Sequence, residues 1–185
     1  AAQAQSLDEI TAAAKKEGAL TTIALPHDWC GYGAVIEGFK KKYPEIAVNE
    51  LNPDGSSADE LEAVRANKGN TGPQAPDVLD IGLSFGPAAK EEGLIQPYKV
   101  STWDSIPDSA KDADGFWYGD YYGVMSFIVN TDMVQNVPAD WADLMKPEYA
   151  GAFALSGDPR SGNQGLMSVM SAGMAMGGKP GAESA

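Results

Sequence analysis

The chain has 185 residues, of which 43% are hydrophobic and 21% are charged, a composition typical of an ordinary globular protein. Its formal net charge of −13 argues against a nucleic-acid binder and against docking on an anionic membrane, because both partners attract basic surfaces. No run approaches the roughly 20 apolar residues needed to span a bilayer. The single cysteine, Cys30, excludes an internal disulfide and a cysteine-rich zinc site.

The chain begins with small and polar residues, Ala1 to Ser6, of the kind that remain after a signal peptide is removed. A trimmed chain would begin in the same way, so the two origins stay open at this point. A lone cysteine is compatible with an oxidising compartment and does not demand one.

Strands and helices alternate over the first hundred residues. Capping boxes at Ser6 to Glu9 and at Ser57 to Glu60 predict the starts of two helices. The predicted strands are 19–25, 46–51 and 77–82, and further helices follow the loop 26–31 and cover 87–92. This alternation predicts a parallel sheet with right-handed crossovers, and therefore an α/β fold.

The second part of the chain is predicted to start another α/β layer. The mostly apolar run 121–130 and the run 152–155 are predicted to be strands, with a helical turn at 140–145 between them. A helix then carries four methionines as core residues, namely Met167, Met170, Met174 and Met176. Residues 182–185 resemble the start of one more helix. Because two strands cannot cover a core, we expect the chain to be the front half of a longer protein.

Five stretches carry a resemblance to a known family. They are "LDEITAAAKKEGALTTIA", "VIEGFKKKYPEIAVNEL", "APDVLDIGLSFGPAAKEEGLIQPY", "DGFWYGDYYGVMSFIVNTDMV" and "DWADLMKPEYAGAFALSGDPRSGNQG". Together, and in this order, they resemble bacterial solute-binding proteins of ATP-driven (ABC) importers. The resemblance is to the two-domain cluster that includes polyamine, ferric-ion, thiamine and phosphonate binders.

The resemblance implies a periplasmic-binding-protein-like fold with two α/β lobes and a hinge. Residues 1–118 would form most of the first lobe, 119–124 the crossing, and 125–185 the incomplete start of the second lobe. It also implies a periplasmic, monomeric and non-enzymatic protein without a cofactor. Such a protein captures a small solute and delivers it to the membrane permease of an ABC importer.

Ligands of open α/β sheets lie beyond the carboxyl ends of the strands, which points to two segments of the first lobe and to the crossing. The candidate ligand-binding residues there are Asp28, Trp29, Tyr32, Ser84, Phe85 and Tyr121. Two facing aromatic rings can enclose a cation or sandwich a flat ring, although such rings also often cover a core. The family's polyamine binders resemble the loop after the first strand, with a Trp and a Tyr at the same spacing.

The motif "LSGDPRSGNQG" supplies the candidate residues of the second lobe, which are Asp158, Arg160, Ser161, Gly162 and Asn163. A helix starting near Ser161 would offer unpaired N–H groups to an anion, and Arg160 would add a bidentate donor. The simpler interpretation is helix capping by Asp158 or Ser161. In polyamine-binding relatives the position of Asp158 faces a ligand ammonium, so the motif leaves the sign of the ligand's charge open.

Other combinations are weaker. The pair Tyr121-Tyr122 resembles the adjacent tyrosines of ferric-ion binders, but those lie in the second half of such chains, and we predict no metal site. His27 and Cys30 are three residues apart, and the sequence identifies no partner carboxylate of known geometry for nucleophilic catalysis, so we expect no such role. We therefore expect a binder of a small charged solute, with an organic phosphate, phosphonate or carboxylate ahead of a polyamine, ferric ion or thiamine. The competing classes are an α/β hydrolase-like enzyme and an interaction fragment.

Overall fold

A computed structural model describes residues 6–178. The chain divides into two compact units, one ending at Tyr121 and the other beginning at Tyr122. The residues expected to follow a signal peptide, apart from Ser6, and the helix start expected at 182–185 lie outside the described residues. Each unit is described by itself below.

The first unit begins with helix α1, Leu7–Glu17, as the sequence predicts. The Ser6 side chain accepts from the Glu9 N–H, and the Glu9 carboxylate accepts from the Ser6 N–H, so both halves of the capping box are present. Gly18 ends the helix in the left-handed region, at φ 74°. Local sequence signals therefore set both ends of this helix.

The sheet of the first unit consists of strands β1, Ala19–Ile23, and β2, Ala47–Leu51. They pair in parallel, with Ala19 opposite Ala47 and Ile23 opposite Leu51. Helix α2, Tyr32–Lys42, forms the crossover between them. This βαβ unit agrees with the predicted α/β class, and β1 ends two residues earlier than predicted because Ala24 has a positive φ of 57°.

The predicted third strand, 77–82, is wrong: only Val78 forms a bridge, in parallel, with Thr22. The Asp77 carboxylate accepts from the Thr21 N–H at 2.8 Å, where a strand would offer a carbonyl. Further along, the N–H groups of Asp80 and Gly82 donate to the side chains of Glu60 and Ser57. The N–H groups of Asp77 and Val78 still donate to the Thr21 carbonyl of β1, and beyond Val78 side chains take the hydrogen bonds that a ladder would need.

Helix α3, Ser57–Ala66, starts one residue earlier than the sequence predicts. Ser56 is the N-cap residue, and its reciprocal partner is Asp59, so the predicted capping pair of Ser57 and Glu60 is wrong. This shift places Glu60, Leu61 and Ser57 in the buried part of the unit. A carboxylic acid therefore lies in the core, where an exposed capping residue was expected.

Helix α4, Gly86–Glu91, covers most of the helix predicted at 87–92. The buried apolar residues of the first unit lie in its sheet and helices or directly beside a strand, namely Ile23, Ala24, Ile36, Ile46, Leu61 and Ala89. A loop with two short 3₁₀ turns, Trp103–Ser105 and Asp108–Ala110, then leads to the end of the unit. Gly119 donates to the Ala110 carbonyl at 2.8 Å, which fixes the backbone just before Asp120.

The second unit differs from the predicted α/β layer. Its described residues contain no strand, so the strands predicted at 121–130 and 152–155 are wrong. Within the first run Tyr122, Val124 and Ile128 are exposed by 91%, 83% and 99%. An extended segment needs a neighbouring strand for its backbone groups, and the described part of this unit offers none.

Helical segments make up the regular structure of the second unit. The predicted turn at 140–145 is a 3₁₀ helix, Trp141–Met145, with Asp140 as its cap, and the rings of Phe127 and Trp141 lie 4.8 Å apart. Helix α5, Asn163–Ala175, carries three of the predicted methionines, and the fourth, Met176, is its C-cap residue. Met174 and Met176 are exposed, so their predicted core role is wrong for the described residues. No helix in the range 6–178 is long and apolar enough to cross a membrane.

Candidate functional site

The loop after β1 presents Trp29 at the start of helix α2. Trp29 donates its N–H to the Pro26 carbonyl and accepts at its own carbonyl from the Tyr32 N–H, at 3.1 and 2.9 Å. Cys30 and Gly31 both have positive φ angles, 43° and 84°, which turn the chain sharply into the helix. The turn leaves the Trp29 side chain 43% exposed, so its ring is available to a ligand.

Tyr121 brings the predicted aromatic residues of the first unit together. Its ring meets the rings of Trp29 and Tyr32 edge to face, with centroid distances of 6.3 and 6.4 Å. Such T-shaped contacts are a favourable geometry for aromatic pairs. Three of the candidate residues from the sequence therefore form one aromatic cluster, although they come from two distant parts of the chain.

Two carboxylates border this aromatic cluster. The Tyr121 hydroxyl donates to Asp80 at 3.4 Å, and the Tyr32 hydroxyl donates to Asp120. Within residues 6–178 no lysine, arginine or histidine forms an ion pair with either carboxylate. We call the five residues Trp29, Tyr32, Asp80, Asp120 and Tyr121 the aromatic–carboxylate site.

Burial and mutual repulsion shift the pKa values in the aromatic–carboxylate site. Burial raises the pKa of Asp80, and the negative charge of Asp120 raises it further. Burial also raises the pKa of Tyr32 and of Tyr121, so both hydroxyls keep their protons and act as donors. The site consequently has concentrated negative charge, which a bound cation would stabilise.

The other predicted residues of the first unit lie differently. Asp28 is exposed on the loop beside Trp29. Ser84 and Phe85 belong to a 3₁₀ turn, Leu83–Phe85, which leads directly into α4. Phe85 is half-buried, and it donates its N–H to the Gly82 carbonyl at 2.8 Å. The ring contacts given for the described residues do not link Phe85 to the aromatic cluster.

In the second unit, Arg160 and Asp158 bind each other. Arg160 donates through Nε and Nη2 to the Asp158 carboxylate, at 3.0 and 2.7 Å, and also through its backbone N–H. This pairing lowers the pKa of Asp158 to about 2. Each charge is compensated within the motif, although the Arg160 side chain is 88% exposed.

Two of the N–H groups expected to bind an anion are occupied. Ser161 and Gly162 both donate to the Asp158 carbonyl, each at 3.1 Å. Helix α5 starts at Asn163 rather than near Ser161, with Gly162 as its N-cap. The cap lacks a side-chain hydrogen bond, so capping by Asp158 or Ser161 is wrong.

Asp80 and Asp120 of the site, and Glu60 beneath it, were not among the candidate ligand-binding residues of the sequence analysis. Asp80 lies near the carboxyl end of the predicted strand 77–82, where the rule that located Ser84 could also have found it. Glu60 was assigned to helix capping, and only its complete burial shows that it lies beneath Asp80. Within residues 6–178 no group of three or more His, Cys, Asp or Glu residues could hold a metal ion.

The comparison with protein families defines the class of this protein. A model of the family of bacterial extracellular solute-binding proteins matches residues 74–183, more than half of the chain. The chain therefore belongs to this family, as the resemblance implied. The matched range includes Asp80, Asp120 and Tyr121 of the first unit and the whole of helix α5. No curated protein matches the chain.

Proposed function

We propose that this solute-binding protein captures a small organic cation, with a polyamine or a related amine as the first candidate. The observation that carries the proposal is the juxtaposition of three aromatic rings with two carboxylates that form no ion pair among the described residues. Of the ligands expected from the sequence, this arrangement favours the polyamine over the organic anion that ranked first.

The chemistry of the five side chains supports a cationic ligand. An ammonium or a cationic ring is attracted to the faces of Trp and Tyr, by about 0.5–2 kcal/mol for each favourable contact. The carboxylates of Asp80 and Asp120 can accept charge-assisted hydrogen bonds from N–H groups of the ligand. An anion would meet repulsion from both carboxylates, and none of the described cationic side chains is paired with them to offset it.

An organic anion bound at the motif 158–163 is the second candidate. The observation in its favour is the exposed guanidinium of Arg160, which lies two residues before the N-cap of α5. Its own Asp158 competes with any ligand for that guanidinium, and this competition places the anion second.

We further propose that the solute is delivered to the permease of an ABC importer outside the cytoplasm, without chemical conversion. Family membership supports the transport role and the extracytoplasmic location. We retain the proposed lobes, 1–118 and 125–185, with a hinge at 119–124. The two compact units, which part after Tyr121, support this division.

Isothermal titration calorimetry with a fixed panel of solutes tests the proposed function. The panel contains putrescine, spermidine, thiamine, ferric ion, inorganic phosphate and a simple phosphonate. We expect binding of an amine, lost or strongly weakened in Asp80→Asn and in Asp120→Asn. Asp104→Asn is the matched control, because Asp104 is exposed on a 3₁₀ turn outside the site.

The panel also contains the results that would overturn the proposal. Binding of phosphate or phosphonate with no binding of any amine or thiamine would exclude the cationic ligand. Equal losses in Asp80→Asn, Asp120→Asn and Asp104→Asn would show a general effect of charge rather than a site. Native mass spectrometry of the protein as purified adds the mass of any solute that it carries.

A further inference from the structure

Glu60 lies beneath the aromatic–carboxylate site with its side chain fully buried. It has 0% exposure, the lowest value among the buried polar residues of the described chain. Its Oε2 atom accepts from the Asp80 N–H at 2.7 Å, whereas its Oε1 atom has no hydrogen-bond partner. A buried polar atom without a partner is costly, so its retention calls for an explanation.

Helix α3 holds the segment that carries Asp80 through two side chains. Glu60 takes the N–H of Asp80, and the Ser57 hydroxyl takes the N–H of Gly82 at 3.0 Å. The backbone contact of this segment with β1 ends at Val78, and beyond it these two bonds hold the segment in place of a strand ladder. The backbone on both sides of Ile81 is therefore fixed by α3, and the direction of the Asp80 carboxylate depends on it.

The surroundings of Glu60 favour its protonated form. Its charged neighbours are Asp59 on the same helix and Asp80 on the facing segment, and both are acidic. Within the described residues Glu60 takes part in no ion pair. Burial without a cation raises the pKa of Glu60 to about 9.

We propose that Glu60 is a positioning residue for solute binding: as a neutral, buried acid it fixes the backbone at Asp80 and so aims the Asp80 carboxylate at the ligand. The proposal rests on the proposed function, in which Asp80 contacts a cationic solute. Neutrality has a direct benefit, because an ionised Glu60 would be a buried charge without a partner and would disfavour the ionised form of Asp80 that a cationic solute needs.

Three variants on helix α3 separate the acceptor from the charge. Glu60→Gln keeps an oxygen that accepts from the Asp80 N–H and cannot ionise. Glu60→Leu has a similar size and no acceptor. Glu62→Gln removes a carboxylate from the exposed side of the same helix, where Glu62 pairs with Arg65 at 3.5 Å and is 72% exposed. Circular dichroism confirms that each purified variant is folded before binding is measured.

The first measurement is putrescine and spermidine affinity by calorimetry at pH 7. We expect Glu60→Leu to weaken binding about tenfold, because the Asp80 N–H loses its acceptor and the segment shifts. Glu60→Gln should keep an affinity within about threefold of that of the unmodified protein. Glu62→Gln should have the same affinity as the unmodified protein. Equal losses of affinity in folded Glu60→Gln and Glu60→Leu would contradict the proposal that Glu60 acts as a neutral acid. Full affinity in Glu60→Leu would contradict the proposal that Glu60 positions Asp80.

The second measurement needs no ligand and so separates this proposal from the proposed function. Carboxyl carbon resonances are followed by NMR as the pH is raised from 3 to 10. We expect one Glu resonance to titrate far above the others, to vanish in Glu60→Gln and to remain in Glu62→Gln. The titration of Asp80 should change in Glu60→Leu. If Glu60 ionises together with the exposed glutamates, or Asp80 is indifferent to Glu60→Leu, the proposal is wrong even for a protein that binds amines.

Discussion

The hydroxyl of Tyr121 donates to the carboxylate of Asp80 at 3.4 Å, although 41 positions separate the two residues in the sequence. The same tyrosine ring contacts Trp29 and Tyr32. Tyr121 thus joins the aromatic half of the site to its acidic half. Changes at this residue should affect solute binding more than changes at its neighbours.

The adjacent residues Tyr121 and Tyr122 provide a matched pair for testing this role. Tyr121→Ala removes two ring contacts and the hydrogen bond to Asp80, so we expect amine affinity to fall about tenfold or more. Tyr122 is 91% exposed, and Tyr122→Ala should change affinity less than about twofold. Calorimetry with the amine that binds best measures both, and equal effects of the two substitutions would contradict the central role of Tyr121.

Two glycines of helix α2 should respond in opposite ways to replacement by alanine. A Cβ atom at Gly33 would lie 2.7 Å from the His27 carbonyl oxygen, within the loop that carries Trp29. We expect Gly33→Ala to lower the free energy of unfolding by about 1–3 kcal/mol and to weaken amine binding. A Cβ atom at Gly38 meets nothing within 4 Å, so Gly38→Ala should raise the free energy of unfolding by about 0.5–1 kcal/mol. Urea unfolding compares the two variants. Stabilisation by Gly33→Ala would contradict the prediction, because it would mean that the loop at His27 accommodates the added methyl group without strain.

The buried Glu60 should make stability depend on pH. Its pKa is raised in the folded state from 4.5 to about 9, so the folded chain holds a proton that the unfolded chain releases. The contribution is favourable below pH 4.5 and is lost as the pH rises towards 9. The slope is at most about 1.4 kcal/mol for each pH unit within that window.

Glu60→Gln replaces the carboxyl by an amide that does not titrate, so it should remove this dependence of stability on pH. The difference in unfolding free energy, Glu60→Gln minus the unmodified protein, should therefore grow in favour of the variant between pH 5 and pH 8. Urea unfolding at three or four pH values measures it, with Glu62→Gln as the control of unchanged slope. A difference that stays constant with pH would mean that Glu60 is ionised in the folded protein.

Arg160 should control the ionisation of Asp158 in the second unit. Its guanidinium and backbone N–H hold the pKa of Asp158 at about 2, below the ordinary value of 3.8. In Arg160→Ala the pKa should rise towards 3.8, which carboxyl NMR detects directly. Lys146→Ala is the matched control, because Lys146 lowers the pKa of Asp143 instead and should leave Asp158 unchanged. A pKa of Asp158 that persists near 2 in Arg160→Ala would point to the backbone as the main cause.

Local signals in the sequence predicted the helices of the first unit well. The capping box of α1 and the glycine that ends it act within one or two turns of the helix, so neighbouring residues suffice to define them. The loop after β1 was also located correctly, together with Trp29 and Tyr32 at the start of α2. The acidic composition argued against nucleic acid as a partner, which stays a prediction, and five stretches of sequence indicated the family that the comparison then showed.

Strand pairing could not be predicted in the same way, because it depends on partners distant in the sequence. The run 77–82 has the composition of a buried strand, yet it bridges β1 at Val78 alone, and further along the side chains of Glu60 and Ser57 accept its backbone hydrogen bonds. The apolar run 121–130 has the same composition, and it remains unpaired among the described residues. A pattern of apolar residues predicts that a segment can be buried, and the tertiary structure decides what accepts its hydrogen bonds.

The sequence by itself determined the family, the βαβ start of the fold and the aromatic residues of the candidate site. Only the tertiary structure decided which carboxylates, Asp80 and Asp120, form the acidic half of that site, and that the buried Glu60 beneath it keeps its proton. The one-residue shift at the start of α3 made Ser56 and Asp59 the capping pair and sent Glu60 into the core. The cause is physical: capping and turns depend on neighbours in the chain, whereas the burial of a carboxyl and the charge near Asp80 depend on every element packed around them.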